Sequence, residues 1–318
     1  MKSNIVTLIA PFYNAEDYLE RFLISLLGQT YINVQVILVN DGSDDNSDDV
    51  VKRYTDKLKD KFYEFIYLKK NNGGAASAIN FALKYVEGEY LCWADCDDEL
   101  LPDNIYLKWK FLSENLDYGL VNCGAVAVNQ ITGEEIEKLI IPDNEKKDNM
   151  FMRIISGIPA YSGVFMIRTK LLFDKLDDRE IYYNREAGQN YQLLLPVAYD
   201  SKCGFIDSVL YKYYVRMDSH SHNVDYCKIY NRTFVREELL DNVLNFINTN
   251  DKDDIMRVIR KESCKQRFNL AFVENDRKNA NKAYMELKQF SISYKDILKH
   301  LIINVGVLNN LYRLRGGR

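Results

Sequence analysis

The chain has 318 residues, 47% of them hydrophobic and 28% charged, with a formal net charge of −4. That much apolar content excludes an intrinsically disordered chain, and the acidic balance speaks against a nucleic-acid partner. Six cysteines, at 92, 96, 123, 203, 227 and 264, are scattered without paired zinc spacing, so reduced, mostly buried thiols in a cytoplasmic protein are expected. The apolar N-terminal run in MKSNIVTLIAPFYN is too short to span a bilayer and lacks a cleavage site, so it reads as a first strand.

The first hundred residues alternate strand and helix. Ile5 to Ala10 is apolar and β-rich, and Pro11 closes it. Asn14 can cap a helix whose face carries Tyr18, Leu19, Phe22, Leu23, Leu26 and Leu27. Val34 to Val39 is a second strand ending in Asn40-Asp41-Gly42-Ser43, followed by a helix to about Lys59. Phe65 to Leu68 is a third strand, after which Asn71-Asn72-Gly73-Gly74 opens a helix through Tyr85. The fourth strand, Tyr90 to Ala94, runs into Asp95, Asp97, Asp98 and Glu99. This order predicts an α/β fold with parallel pairing and right-handed crossovers. A helix over 104–115 follows, then Leu120 to Val128 and Glu135 to Ile141 flank Thr132-Gly133 as a hairpin. From there to residue 222 short strands and helices mix, and antiparallel members are expected in the sheet. Beyond residue 225 the pattern is helical. The expected division is a catalytic domain over 1–222 and a helical region over 223–318.

The four strand-end groups, Pro11 to Asn14, Asn40 to Ser43, Asn72 to Gly74 and Asp95 to Glu99, gather along one edge of a parallel sheet, where ligands of open α/β folds sit. Crowded carboxylates repel unless a cation joins them, and a hard divalent ion with phosphate ligands suits such a cluster. Tyr13 offers a flat face for a base, Asp41 an acceptor for a ring N–H, and the glycines let backbone approach a ligand. Singly, each has a plain structural explanation. Together they favour a nucleotide diphosphate site.

The blocks APFYNAEDYLERFLISLLGQTY, VQVILVNDGSDDNS, NNGGAASAINFAL and GEYLCWADCDDELLPDN resemble successive blocks of the family 2 glycosyltransferases, inverting, metal-dependent enzymes with the GT-A fold. The resemblance covers about residues 4–104 and is weaker over 150–222. It implies a GT-A mixed sheet flanked by helices with a C-terminal helical extension, and a UDP-sugar donor with Mn²⁺ or Mg²⁺. The acceptors it implies are a glycan or lipid-linked glycan in capsule, exopolysaccharide or lipopolysaccharide synthesis. Carried over by position, Pro11 and Tyr13 frame the nucleobase, Asp41 binds uracil, and Asn72 and Gly73 line the donor. Asp95 meets ribose or metal, Asp97 meets the metal, and Asp98 supports them. His222 or His220 completes the metal or touches diphosphate, and Arg216 either clamps phosphate or pairs with Asp218.

Two departures stand out. Many relatives carry Arg before the Asn of the third block, where this chain has Ile79-Asn80. The family's acceptor-side Glu-Asp, with its general base, here reads Gln189-Asn190, and an amide cannot accept a proton at neutral pH. Glu186 or Asp218 could serve as base, or Gln189 and Asn190 position the acceptor while the base comes from elsewhere. Two other classes stay open: a nucleotide-sugar-binding relative without transfer, and a sugar-phosphate nucleotidyltransferase, which would want a Gly-rich basic segment after strand one. The tail over 295–318 places Ile297, Leu301, Val305, Leu308 and Leu311 at helical spacing among Lys295, Lys299, Arg313, Arg315 and Arg318. It reads either as an interfacial helix on the inner face of a membrane or as a terminal helix packed on the body.

Overall fold

The computed structural model describes residues 1–146, 149–186, 188–215 and 225–305. Its centre is a nine-stranded sheet. The strands are β1 (Lys2–Phe12), β2 (Val34–Asn40), β3 (Glu64–Lys69), β4 (Gly88–Trp93), β5 (Glu99–Leu100), β6 (Tyr118–Asn129), β7 (Glu135–Leu139), β8 (Phe165–Arg168) and β9 (Lys202–Val215). Their order is β3-β2-β1-β4-β8-β6-β9-β5, with β7 paired to β6. The β3-β2-β1-β4 block is parallel, as the alternation of strand and helix requires. β8 then runs antiparallel to both β4 and β6, and β6 pairs parallel with β9. β6 and β7 form the antiparallel hairpin expected around Thr132-Gly133.

The flanking helices are α1 (Leu19–Leu27), α2 (Ser47–Lys61), α3 (Ala75–Leu83), α4 (Asn104–Glu114), α5 (Met150–Ile155), α6 (Thr169–Phe173) and α7 (Asn190–Asp200). After these come α8 (Tyr226–Ile247), α9 (Lys252–Val273), α10 (Arg277–Leu287) and α11 (Tyr294–Asn304). Every residue of β2 is buried, which is why it reads as an unbroken apolar run. Leu19, Phe22, Leu23 and Leu26 of α1 are fully buried against the sheet, at the helical spacing seen in the sequence.

One local expectation is corrected. Asn14 does not cap α1, which begins five residues later. Asn14 takes a left-handed backbone (φ 47°), and its amide both donates to Asp44 Oδ1 at 2.7 Å and accepts the Asp44 N–H at 3.0 Å. Ser47 Oγ accepts the Ala15 N–H at 2.8 Å, and Asp45 accepts that of Glu16 at 3.0 Å. Asn14, Asp44, Asp45 and Ser47 together zip the loop after β1 to the loop after β2.

The main core continues past the sheet: Leu239, Leu240, Val243, Leu244 and Ile247 of α8, with Ile255, Met256 and Ile259 of α9, belong to it. A second cluster, around Phe268, Ala280, Tyr284 and Ile303, holds the later helices together. No helix of the described residues is long and apolar enough to cross a membrane.

A glycine fixes the junction of the two halves of the sheet. Gly163 has φ +76°, and a Cβ there would meet the Tyr211 ring at 1.9 Å. Its N–H donates to the Trp93 carbonyl at 2.7 Å, and its own carbonyl accepts the fully buried Lys108 ammonium at 2.8 Å. We predict that Gly163→Ala costs about 2 kcal/mol or more in urea unfolding, because strain and overpacking fall on one position.

Candidate active site

Strand polarity brings the C-terminal ends of β1, β2, β3 and β4 to one edge, and there the strand-end groups meet. Tyr13 stands half exposed beyond β1, with Pro11 partly covered before it. Asp41, beyond β2, is only 3% exposed. It accepts Lys70 Nζ at 2.6 Å, the Gly73 N–H at 3.1 Å and the Gly74 N–H at 2.7 Å. Its carboxylate therefore closes the glycine turn, leaving about one of roughly four acceptor sites for a ligand. Gly74 sits at φ +87°, a conformation that favours glycine and starts α3. Asn72 Oδ1 in that turn accepts the Arg185 guanidinium at 2.7 Å, which brings the 185–186 segment to the glycine turn.

The acidic turn after β4 is the second half of the site. Asp95, Asp97 and Asp98 each place a carboxylate oxygen within 4.8 Å of the others. Burial and the charge of Asp97 push the Asp95 carboxyl up to about 7, against a hydrogen bond from Ser162. Asp98 is pushed well above the usual range by burial and the same neighbours. Its two oxygens accept the Tyr211 hydroxyl at 2.7 Å and the Tyr214 backbone N–H at 2.9 Å. Asp98 therefore ties the turn to β9, while Asp95 and Asp97 are the partly exposed members. An all-oxygen anionic donor set of this kind fits a Mn²⁺ or Mg²⁺ ion and does not fit a soft metal.

Asn190 opens α7. Its Oδ1 accepts the Trp93 indole N–H at 2.7 Å and the Ser162 hydroxyl at 3.1 Å, and its Nδ2 donates to the Ala160 carbonyl at 2.7 Å. The amide is engaged at both ends and anchors the strand that carries the acids. Gln189 beside it is buried. Glu186 is exposed, beside the glycine turn. Arg216, Asp218, His220 and His222 lie outside the described residues.

Several contributors escape a sequence reading. Lys70 follows β3 directly, with nothing local to show that it pairs across to Asp41. Ser162 is an unremarkable serine until the fold puts it between Asp95 and Asn190. Tyr211 and Tyr214 were visible only as a tyrosine-rich strand, and Arg21, whose guanidinium donates to the Asp97 carbonyl, only as a charged helix residue.

The glycosyl transferase family 2 model matches residues 7–213, from within β1 to within β9, and takes in Tyr13, Asp41, the glycine turn, the three aspartates, Ser162, Asn190 and Tyr211. The chain belongs to glycosyl transferase family 2. Among curated relatives, an uncharacterized glycosyltransferase of Rickettsia typhi is 36% identical over 130 residues, 40% of this chain and 38% of that protein. The minor teichoic acid biosynthesis protein GgaB of Bacillus subtilis is 29% identical over 218 residues, 68% of this chain and 23% of its own length. The chain thus spans well under half of either relative. Among solved structures, S. aureus TarS 1–349 in complex with UDP-GlcNAc superposes with a TM-score of 0.60 at 18% identity, covering 89% of this chain and 90% of that one. The mannosyltransferase PcManGT of Pyrobaculum calidifontis, in complex with GDP-Man and Mn²⁺, gives 0.55 at 15% identity, covering 98% and 88%. These likenesses establish the GT-A-type fold: a mixed, curled sheet flanked by helices, with C-terminal helices.

The raised Asp95 carboxyl has a sign that can be checked. Its folded value lies above the ordinary 3.8, so the folded state binds the extra proton. The contribution of Asp95 to the stability of the metal-free chain is then fully present at low pH and is lost as pH climbs from about 4 to about 7. Thermal melts at pH 5 and pH 8 should show that fall, and Asp95→Asn should lessen it, the raised Asp98 carboxyl supplying a fall of the same sign.

Proposed function

We propose that this chain is an inverting, metal-dependent glycosyltransferase moving a hexosyl or related sugar from a UDP-sugar to a hydroxyl of a glycan or lipid-linked oligosaccharide. Assembly of a capsule, exopolysaccharide or lipopolysaccharide is its setting. The observation that carries the reading is the Asp95–Asp97–Asp98 cluster at the tip of β4, on the same sheet edge as Asp41 and the glycine turn, in a family 2 chain. UDP-GlcNAc bound to TarS and GDP-Man with Mn²⁺ bound to PcManGT support a nucleotide-sugar donor, and the name of GgaB supports a cell-surface polymer.

In this reading residues 1–222 bind donor and carry the chemistry, and 223–318 form the helical region. Pro11 and Tyr13 frame the base, and Asp41 offers its remaining acceptor site to a ring N–H. Asn72 and Gly73 line the nucleoside. Asp95 and Asp97 would hold a Mn²⁺ or Mg²⁺ ion, with Asp98 bracing them. When bound, such an ion offsets the charge that gathers on a departing diphosphate. His222 or His220, with Arg216, would reach the diphosphate from the segment after β9. Glu186 or Asp218 takes the acceptor proton, because the Asn190 amide cannot.

A thermal-shift panel should show stabilisation by UDP or one UDP-sugar that depends on Mn²⁺, absent in Asp97→Ala. Asp97→Ala should also lower turnover by about a thousandfold. Stabilisation by a nucleotide sugar with no metal requirement counts against this assignment. For the base, Glu186→Gln should cut kcat by about a hundredfold or more while UDP affinity holds. An unchanged rate transfers the role to Asp218. A second reading, a donor-binding relative without transfer, is favoured by the fully engaged Asn190 amide. Donor turnover with an extracted acceptor pool, lost in Asp97→Ala, decides against it.

A cytoplasmic site at the inner face of a membrane also belongs to the proposal, resting on α11. Tyr294, Ile297, Leu298, Leu301 and Val305 are exposed there at helical spacing, and no acidic residue follows Asp296 in the sequence. Burial of that stripe, helped by Lys295, Lys299 and the arginines at 313, 315 and 318, suits an anionic bilayer surface. Leu301→Glu should weaken co-flotation with phosphatidylglycerol vesicles and leave soluble-acceptor turnover intact.

A further inference from the structure

Arg21 lies in the first turn of α1, away from the strand-end loops that mark the donor site. Its side chain nevertheless runs to the acidic turn. One guanidinium nitrogen donates to the backbone carbonyl of Asp97, and Cζ sits 3.6 Å from the centroid of the Tyr214 ring. Its Nε is buried without a hydrogen-bond partner. Burying a guanidinium N–H with no acceptor is unfavourable, so the side chain is held in place by what its other groups do.

Those groups tie three successive residues together. The Asp97 carbonyl is held by Arg21 directly. Tyr214, stacked under the guanidinium, gives its backbone N–H to Asp98 at 2.9 Å and its hydroxyl to Glu99 at 2.9 Å. Asp95 lies within reach of the Ser162 hydroxyl, whose one proton it shares with Asn190 Oδ1. Each carboxylate-bearing residue of the turn is thus held, Asp98 and Glu99 by the same Tyr214, and for Asp97 a cation holds the backbone carbonyl.

We propose that Arg21 is a positioning residue for the cation site, fixing the peptide that carries Asp97 and setting a positive charge against three crowded carboxylates before any metal arrives. The inference rests on reading Asp95 and Asp97 as cation ligands. Methionine at this position would keep the stem and lose both the donor and the charge. Lysine would keep a charge and a donor while losing the planar stack on Tyr214.

The test is Mn²⁺ binding to the full chain in the presence of UDP, followed by loss of the free-ion electron paramagnetic resonance signal. Arg21→Met should weaken Mn²⁺ binding by about tenfold or more, the usual effect of removing an outer-shell partner, with Arg21→Lys between it and the parent. In turnover, the Mn²⁺ concentration for half-maximal rate should rise while the rate at saturating Mn²⁺ largely recovers. An arginine that only braces the fold would lower the melting temperature and leave Mn²⁺ affinity within about twofold, which overturns the proposal. Should Arg21→Met not fold, Arg21→Gln, which keeps an amide donor without the charge, carries the same expectation. Asp97→Asn separates the two levels. If it leaves Mn²⁺ affinity intact, the site reading fails and takes this inference with it. If it abolishes binding while the Arg21 variants bind normally, only the role of Arg21 is lost.

Discussion

Three carboxylates brought within 4.8 Å of one another repel, and the site depends on how this chain restrains them. Each restraint comes from a different part of the sequence: Ser162 for Asp95, Arg21 for the Asp97 peptide, Tyr211 and Tyr214 for Asp98. The hydroxyl and backbone donors carry no charge, and burial first, then the neighbouring acids, keeps the carboxyls of Asp95 and Asp98 raised. Asp41, at the other end of the site, is the opposite case. A lysine and two backbone N–H groups satisfy most of its acceptor sites, and in doing so they close the glycine turn.

The departure at Asn190 follows the same logic. A carboxylate there would accept from Trp93 and Ser162 but could not donate to the Ala160 carbonyl. The amide meets all three demands. An amide here makes a firm joint between α7, β4 and the loop before β8.

The first four strands and their helices were legible because their apolar periods are long and their ends are marked by Gly, Asn, Asp and Pro. The gathering of Asp41, the glycine turn and the acids followed from parallel pairing alone. Past residue 140 the signal thins. The first half of β9 reads KCGFIDSVL, too polar and irregular to announce a strand, and β8 has only four residues. β5 has two and carries no periodicity at all. The partners of the acids were hidden for a related reason: Arg21, Ser162 and Tyr214 act across 76, 67 and 116 positions of chain, and no local pattern encodes such distances.

β5 has a further consequence. It pairs with β9 through Glu99 and Leu100, at the opposite end of the strand order from β3, while β4 sits in the interior of the sheet. The acids therefore occupy a span moored at both banks. Adding or removing one residue between Trp93 and Glu99 would turn every side chain of the short strand to its other face, since alternation along a strand has a period of two. The length of this span is thus as tightly specified as its chemistry. Exchanging an aspartate changes what the site can grip, whereas shifting the count dismantles the mooring itself.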